Sequence, residues 1–230
     1  MVYGLETMVT FALAIVSFVI VLSAQIQLTS TYKESKQKKN KRGLTGCEVA
    51  REILDKNELS DIYVVEVAGE LSDHYDPSRK VVRLSRDIFH GESIAAMAVA
   101  AHECGHALQD KENYTLMRIR ATLVPFVNLV TYLGYFGLII SLFAGVIGYL
   151  KLSIAVLMVV LIFQLITLPI EFDASRRALK QLEDLSLSDK EEKPLTERML
   201  KAAAMTYVAS LISLVIDLLR LVLMLQDRER

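Results

Sequence analysis

Long apolar runs alternate with charged segments along this chain, and the alternation predicts its architecture. The first run, Met8 to Leu28, is broken only by Thr10, Ser17, Ser23, Gln25 and Gln27. As a helix it is long enough to cross the roughly 30 Å hydrocarbon core of a bilayer. Tyr3 and Tyr32 bracket it at interface positions. The segment before it carries Glu6 and no lysine or arginine, which argues for a retained span over a cleaved leader. Leu123 to Leu150 and Leu152 to Ile170 are apolar again, with Lys151 the sole charge between them. They predict a transmembrane hairpin with a tight turn near Gly145 to Lys151. Ala202 to Leu225 is the fourth run. Its Asp217 and Arg220 are three apart on one helix face and can pair; each alone at mid-span would cost about 2.5–3.5 kcal/mol. A structural pairing is the favoured reading of that couple.

Residues 43–121 have a different period. Thr45-Gly46-Cys47-Glu48 has capping-box spacing, and Val49, Ile53 and Leu54 give an apolar face to a helix ending near Asn57. Ile62 to Val67 and Lys80 to Leu84 are strand-like, separated by the turn formers Asp73-His74-Tyr75-Asp76-Pro77-Ser78, so a short strand pair is expected. Ser93 can cap a helix over Ile94 to Asp110. After the hairpin, Pro194 is placed to open a new helix. The expected division is 1–32, first transmembrane helix; 33–121, cytoplasmic segment; 122–171, transmembrane hairpin; 172–201, cytoplasmic helix and linker; 202–230, fourth transmembrane helix and tail. The fold class is a mainly α polytopic membrane protein, with about four transmembrane helices and a small cytoplasmic α/β subdomain holding the strand pair.

Composition agrees: 53% hydrophobic residues and a mean hydropathy of +0.36 are too apolar for an average soluble domain. A net charge of -1 gives no reason to expect nucleic acid. Lys33, Lys36, Lys38, Lys39, Lys41 and Arg42 follow the first run, and the outer tail has only Arg228 and Arg230. The positive-inside rule therefore predicts a multi-pass cell-membrane protein with both termini outside. The basic run reads as a solvated linker that also touches anionic headgroups. Cys47 and Cys104 fit no metal pattern and read as buried small hydrophobes without a disulfide.

The chemistry lies in His102-Glu103-Cys104-Gly105-His106. Histidines four apart on a helix share a face, so both imidazoles can bind one ion, and the glutamate between them can take a proton from water held there. Cys104 points off that face. The competing reading is two helix-face histidines bound to nothing. A catalytic zinc needs a third protein ligand. Two crossings after the first site bring the chain back to the same side at Glu171, which makes His102, His106 and Glu171 the expected set. His74 and His90 have no partner at ligand spacing and read as local hydrogen-bonding residues, His74 being the better functional candidate.

With these residues in place the chain resembles the membrane neutral zinc metallopeptidases of the YugP type. The resemblance runs through Gly43 to Asp55, Asp73 to Pro77 and on to Leu84, Ala98 to Gln109, Leu168 to Leu179, and Ala202 to Val208. More distantly it is similar to the HtpX and prenyl-protease group. The resemblance implies a compact gluzincin core on the membrane, with His102, His106 and Glu171 as ligands of one zinc ion per chain and Glu103 as base. In HtpX an aspartate four residues after the glutamate ligand supports a zinc histidine. Here that place is Ser175, which can still accept from an imidazole, while Asp173 lies on another face.

The expected function is a membrane-embedded endopeptidase that hydrolyses peptide bonds of membrane or membrane-proximal proteins at the cytoplasmic face. Arg176, Arg177, His74 and Tyr207 are the candidate oxyanion donors. Expected partners are the lipid bilayer and a protein or peptide substrate; a homo-oligomer or a membrane-protein partner stays open. The rival readings are a catalytically silent zinc-containing scaffold or partner-dependent regulator, and a small transporter built on Asp217 and Arg220.

Overall fold

A computed structural model describes residues 2–144 and 149–228. The elements in chain order are α1 (Val2–Gln37), α2 (Gly46–Lys56), β1 (Tyr63–Val67), β2 (His74–Asp76), β3 (Val81–Ser85), α3 (Arg86–Phe89), α4 (Ile94–Lys111), α5 (Thr115–Ala144), α6 (Tyr149–Asp184) and α7 (Lys193–Arg228). The expected mainly α polytopic class holds. Of the expected hairpin turn, Gly145 to Gly148 lie outside the described residues. The chain divides into two units, one of Met1–Gln25, Arg118–Leu168 and Thr206–Arg230, the other of Ile26–Met117 and Pro169–Met205.

The first unit is built from long apolar helical segments. Four helices among the described residues are long and apolar enough to cross a membrane, and only 6–17% of each most apolar window is buried inside the protein. Phe11, Phe18, Phe136 and Ile162 accordingly point outward, as lipid-facing residues do, because acyl chains leave no hydrophobic penalty for exposing them. Some polar groups here are paired. Ser17 Oγ and Ser213 Oγ share a hydrogen bond of 2.6 Å, and Arg220 reaches Asp217 Oδ1 at 2.7 Å and donates from Nε to the Thr10 carbonyl at 3.0 Å. The Asp217–Arg220 couple is thus a pair, as its spacing predicts. A cavity of about 740 Å³ in this unit is lined by Arg120, Val156, Gln164, Thr167, Tyr207 and Ser210, among others.

The second unit is organised around α4. Ser93 caps it by accepting from the Ala96 amide, and nearly every residue from Ile94 to Gln109 is buried. A helix apolar on all sides must be surrounded, and the alanines at 95, 96, 98, 100 and 101 let its neighbours come close. α2 packs against it through Val49, Ala50, Ile53 and Leu54, all fully buried. Each larger side chain there contributes about 1.5–3 kcal/mol by leaving water. The capping box at Thr45 and Glu48 forms in full.

Two sequence readings need correction. The expected strand pair is a three-stranded sheet in the order β1-β3-β2, with β1 parallel and β2 antiparallel to β3. The extra strand, β2, lies inside the stretch read as turn formers. Its flanking aspartates take turn duties at either end: Asp73 accepts from the Ser85 amide, and Asp76 from the amides of Ser78 and Arg79. Tyr75 points inward and donates to Asp110 at the end of α4. The basic run is also no free linker. α1 continues to Gln37, and Lys38 to Asn40 pairs with the chain entering α4 through Asn40 N–H to Glu92 O and Ile94 N–H to Lys38 O. Its charges find acidic partners within the protein: Lys36 with Asp87, Lys38 with Glu34, Lys39 with Glu92, Lys41 with Asp189 and Glu191, and Arg42 with Glu52.

Candidate metal centre

Local sequence places the two histidines. A turn apart on α4, His102 and His106 set their rings edge to face, with centroids 4.9 Å apart and planes at 84°. The third group comes from α6, which meets α4 through a strip of small residues. Gly105 is the contact point: a Cβ there would lie 2.4 Å from the carbonyl oxygen of Ala174, so only glycine permits the approach. Glu171, Ala174, Ser175 and Ala178 are all buried and share one helical face. With Ala174 beneath Gly105, Ser175 meets His102 and Glu171 meets both rings.

Glu171 Oε2 is 3.4 Å from His102 Nε2 and 3.6 Å from His106 Nε2, and the three ligand atoms lie within 4.8 Å of one another. A tetrahedral ion with bonds of about 2.0–2.1 Å to such ligands needs edges of about 3.3–3.4 Å. The two edges from Glu171 match that spacing, and the edge between the two imidazoles, within 4.8 Å, is the one that closes on binding an ion. Glu103 is buried, yet no hydrogen bond or ion pair holds its carboxylate among the described residues. Its oxygens are not among the fully enclosed side-chain atoms that lack a partner, so water can still reach the carboxylate.

The ring nitrogens on the far side are held as well. His102 Nδ1 is 3.2 Å from Ser175 Oγ, and His106 Nδ1 is 2.9 Å from Gln109 Oε1. Gln109 in turn donates to Asp173 Oδ2 at 2.9 Å and to the Ile170 carbonyl at 2.8 Å. Asp173 is clamped by Arg176 and by Arg177, and Arg177 also pairs with Glu112 at 2.8 Å. Burial presses His106 towards its neutral form, but the Glu171 hydrogen bond and the charges of Glu103 and Glu171 outweigh it and raise its pKa in the metal-free protein. Burial pushes the Cys104 thiol far up, which makes it an inert core residue; its Sγ–H points to the Ala50 carbonyl.

Comparison with known proteins fits this geometry. The profile of the family described as "Putative neutral zinc metallopeptidase" matches residues 10–226. The chain belongs to that family. A relative within reach is the Bacillus subtilis (strain 168) protein "Putative membrane protease YugP", 39% identical over 200 residues that cover 87% of this chain and 89% of that protein. No solved structure gives a significant match. Membership places the chain in a zinc metallopeptidase family, as the sequence resemblance implies, its four long apolar helices fit a membrane protein, and zinc is the metal that the His102, His106 and Glu171 cluster would take.

The structure does not bring every expected residue together. His74 is exposed on β2 with Nδ1 against the Ser72 carbonyl, and His90 pairs with Glu66 on the surface. Arg176 and Arg177 are engaged by Asp173. Sequence reasoning missed Gln109 and Gly105. Both sat in view: Gln109 three residues beyond His106, on the turn above it, and Gly105 as an unusual glycine inside a helix otherwise rich in alanine.

Proposed function

We propose that this chain is a zinc-dependent endopeptidase in which His102, His106 and Glu171 hold the ion and Glu103 is the catalytic base. The observation that carries the reading is the 3.4 and 3.6 Å spacing of Glu171 from the two Nε2 atoms, with Glu103 beside them held by no hydrogen bond or ion pair among the described residues. Zinc, when bound, supplies Lewis acidity that polarises a water molecule and the scissile carbonyl. Glu103 takes the proton from the attacking water and delivers it to the leaving amine as the peptide C–N bond breaks. Glu171 brings one negative charge between two neutral imidazoles, and Ser175 and Gln109 hold those rings in place.

The sidedness follows from the basic residues after the first apolar run, which favour a cytoplasmic site and both termini outside. On that reading the substrates are membrane proteins or segments close to the inner face. The division into 1–32, 33–121, 122–171, 172–201 and 202–230 belongs to the same proposal. The test pairs zinc content per chain with cleavage of a membrane-protein mixture in proteoliposomes, for wild type and Glu103→Gln. One zinc in both and cleavage in wild type alone is the expected result. One zinc in both and cleavage in neither favours the silent scaffold or partner-dependent regulator, and zinc in neither removes the metal site.

A further inference from the structure

We infer that Gln109 sets the tautomer of His106 and that Asp173 sets the orientation of Gln109, so residues that never touch the ion decide which ring nitrogen faces it. The inference rests on the reading that His106 holds zinc. An amide side chain has one end that only donates and one that only accepts, and the two ends look alike in outline. At Gln109 the surroundings distinguish them. One end lies 2.8 Å from the Ile170 carbonyl and 2.9 Å from Asp173 Oδ2. A carbonyl has no proton to give, and Asp173 is the acceptor in ion pairs with Arg176 and Arg177. That end is therefore the NH2, with both hydrogens used.

The other end, Oε1, can only accept, and it is 2.9 Å from His106 Nδ1. Nδ1 then carries the proton of the neutral ring. Nε2 keeps its lone pair, on the side where Glu171 Oε2 stands 3.6 Å away. His102 has no such instruction, because its Nδ1 meets the Ser175 hydroxyl at 3.2 Å and a hydroxyl can give or take. Glutamine is also specified over glutamate at 109. A carboxylate would accept from Nδ1 equally well, but it would have nothing to donate to Ile170 and would set a second negative charge against Asp173. Gln109 is thus a positioning residue whose identity depends on Asp173, 64 positions further along the chain.

The experiment uses the full chain in detergent micelles and two readouts. One is zinc affinity by competition with a chelator. The other is the 15N signals of the His106 ring in zinc-free protein, at a pH where the ring is neutral. Wild type should show a protonated Nδ1 and a bare Nε2. Gln109→Ala should give a mixture of tautomers and bind zinc about 10–100-fold more weakly, the usual loss when a ligand's outer partner is removed. Gln109→Glu should lose at least as much. Adding Asp173→Asn to it should recover part of the affinity, because the facing negative charge is gone and the new amide can donate to Glu at 109 while its oxygen keeps Arg176, at the cost of the Arg177 Nε bond that shares the Oδ2 position with Gln109. The inference is overturned if Gln109→Ala keeps both wild-type affinity and a single His106 tautomer, or if the double variant binds no better than Gln109→Glu. Should Gln109→Ala fail to fold, the comparison between Gln109→Glu and the double variant still decides. Absence of zinc uptake by wild type would bring down the metal-site reading instead, and the ring signals, recorded without metal, would still judge the tautomer.

Discussion

The two units follow opposite rules of burial. Around α4, apolar side chains are inside and, Glu103 apart, the polar groups of the metal site are tied to named partners, as in Gln109 with His106, Asp173 and Ile170. In the unit of long helices, phenylalanines and leucines point outward, and among the described residues Ser17 pairs with Ser213 and Arg220 with Asp217 and the Thr10 carbonyl. The difference follows from the solvent each unit meets. Water drives the α4 unit together and punishes any loose polar group there. Lipid gives apolar surface no reason to hide, so the helices rely on close packing and scattered hydrogen bonds. Perturbations should therefore be severe and chemically specific in one unit and mild in the other.

The largest expected effect is at Glu103. Glu103→Gln keeps the shape and removes the base, so turnover should fall by roughly 10²–10⁴-fold or more while zinc content and thermal unfolding stay as in wild type. The matching change in the other unit, Asp217→Asn with Arg220→Gln, should leave cleavage within a few-fold of wild type. If that pair abolished proteolysis while Glu103→Gln did not, the division of labour between the units would be wrong, and a transport reading built on Asp217 and Arg220 would gain.

Next comes a pair of glycines. At Gly105 an added Cβ meets the Ala174 carbonyl at 2.4 Å, and at Gly134 it meets Val156 Cγ2 at 2.8 Å. A backbone carbonyl cannot step aside, whereas a valine side chain can turn. Gly105→Ala should force α4 away from α6, cost on the order of 1–3 kcal/mol of stability and weaken zinc binding by spreading Glu171 from the histidines. Gly134→Ala should cost about 1 kcal/mol or less. Thermal unfolding with zinc titration reads both. Equal losses at the two sites would mean that both units are packed with the same stiffness.

How much of this was legible depended on how far apart the partners lie in sequence. The capping box at Thr45 and Glu48, the Ser93 cap and the pairing of His102 with His106 are local, and spacing alone reveals them. Glu171 was reachable because counting membrane crossings returns it to the right side. The partners of the basic run were not, since Lys36, Lys39 and Lys41 find Asp87, Glu92 and Asp189 only after folding. β2 was hidden by its own composition: Asp73 and Asp76 are turn formers that here serve the two ends of a strand. Gln109 looked like an ordinary helix residue because its meaning lies in Asp173.

Within the lipid-facing unit, Arg220 should matter most. Arg220→Met leaves Asp217 without its 2.7 Å partner and removes the Nε bond to the Thr10 carbonyl. About 1–2 kcal/mol is the expected cost, given that intramembrane hydrogen bonds reach that range only at the strong end. Replacing Asp217 by Asn at the same time should restore part of it, since the stranded charge is then gone. Refolding equilibria in mixed micelles would measure the recovery, and no recovery would mean that the Thr10 contact, not the ion pair, carries the stability.

The smallest effect is expected at Ser17. Its hydroxyl is buried and shares one 2.6 Å hydrogen bond with Ser213. In water-driven packing, removing one partner strands the other and costs its full desolvation. In the membrane the unfolded reference is itself a set of helices in lipid, where a serine hydroxyl turns back to the carbonyl one turn earlier, as Ser23 does to Ile20 at 2.8 Å. Ser213 should recover in this way once Ser17→Ala removes its partner. The single variant should therefore lose about 0.6 kcal/mol, and the Ser17→Ala, Ser213→Ala double variant should lose no more than the single one. A loss of several kcal/mol would show that this contact is shielded from both lipid and its own backbone, and that the unit is held by buried polar pairs in the manner of the α4 unit.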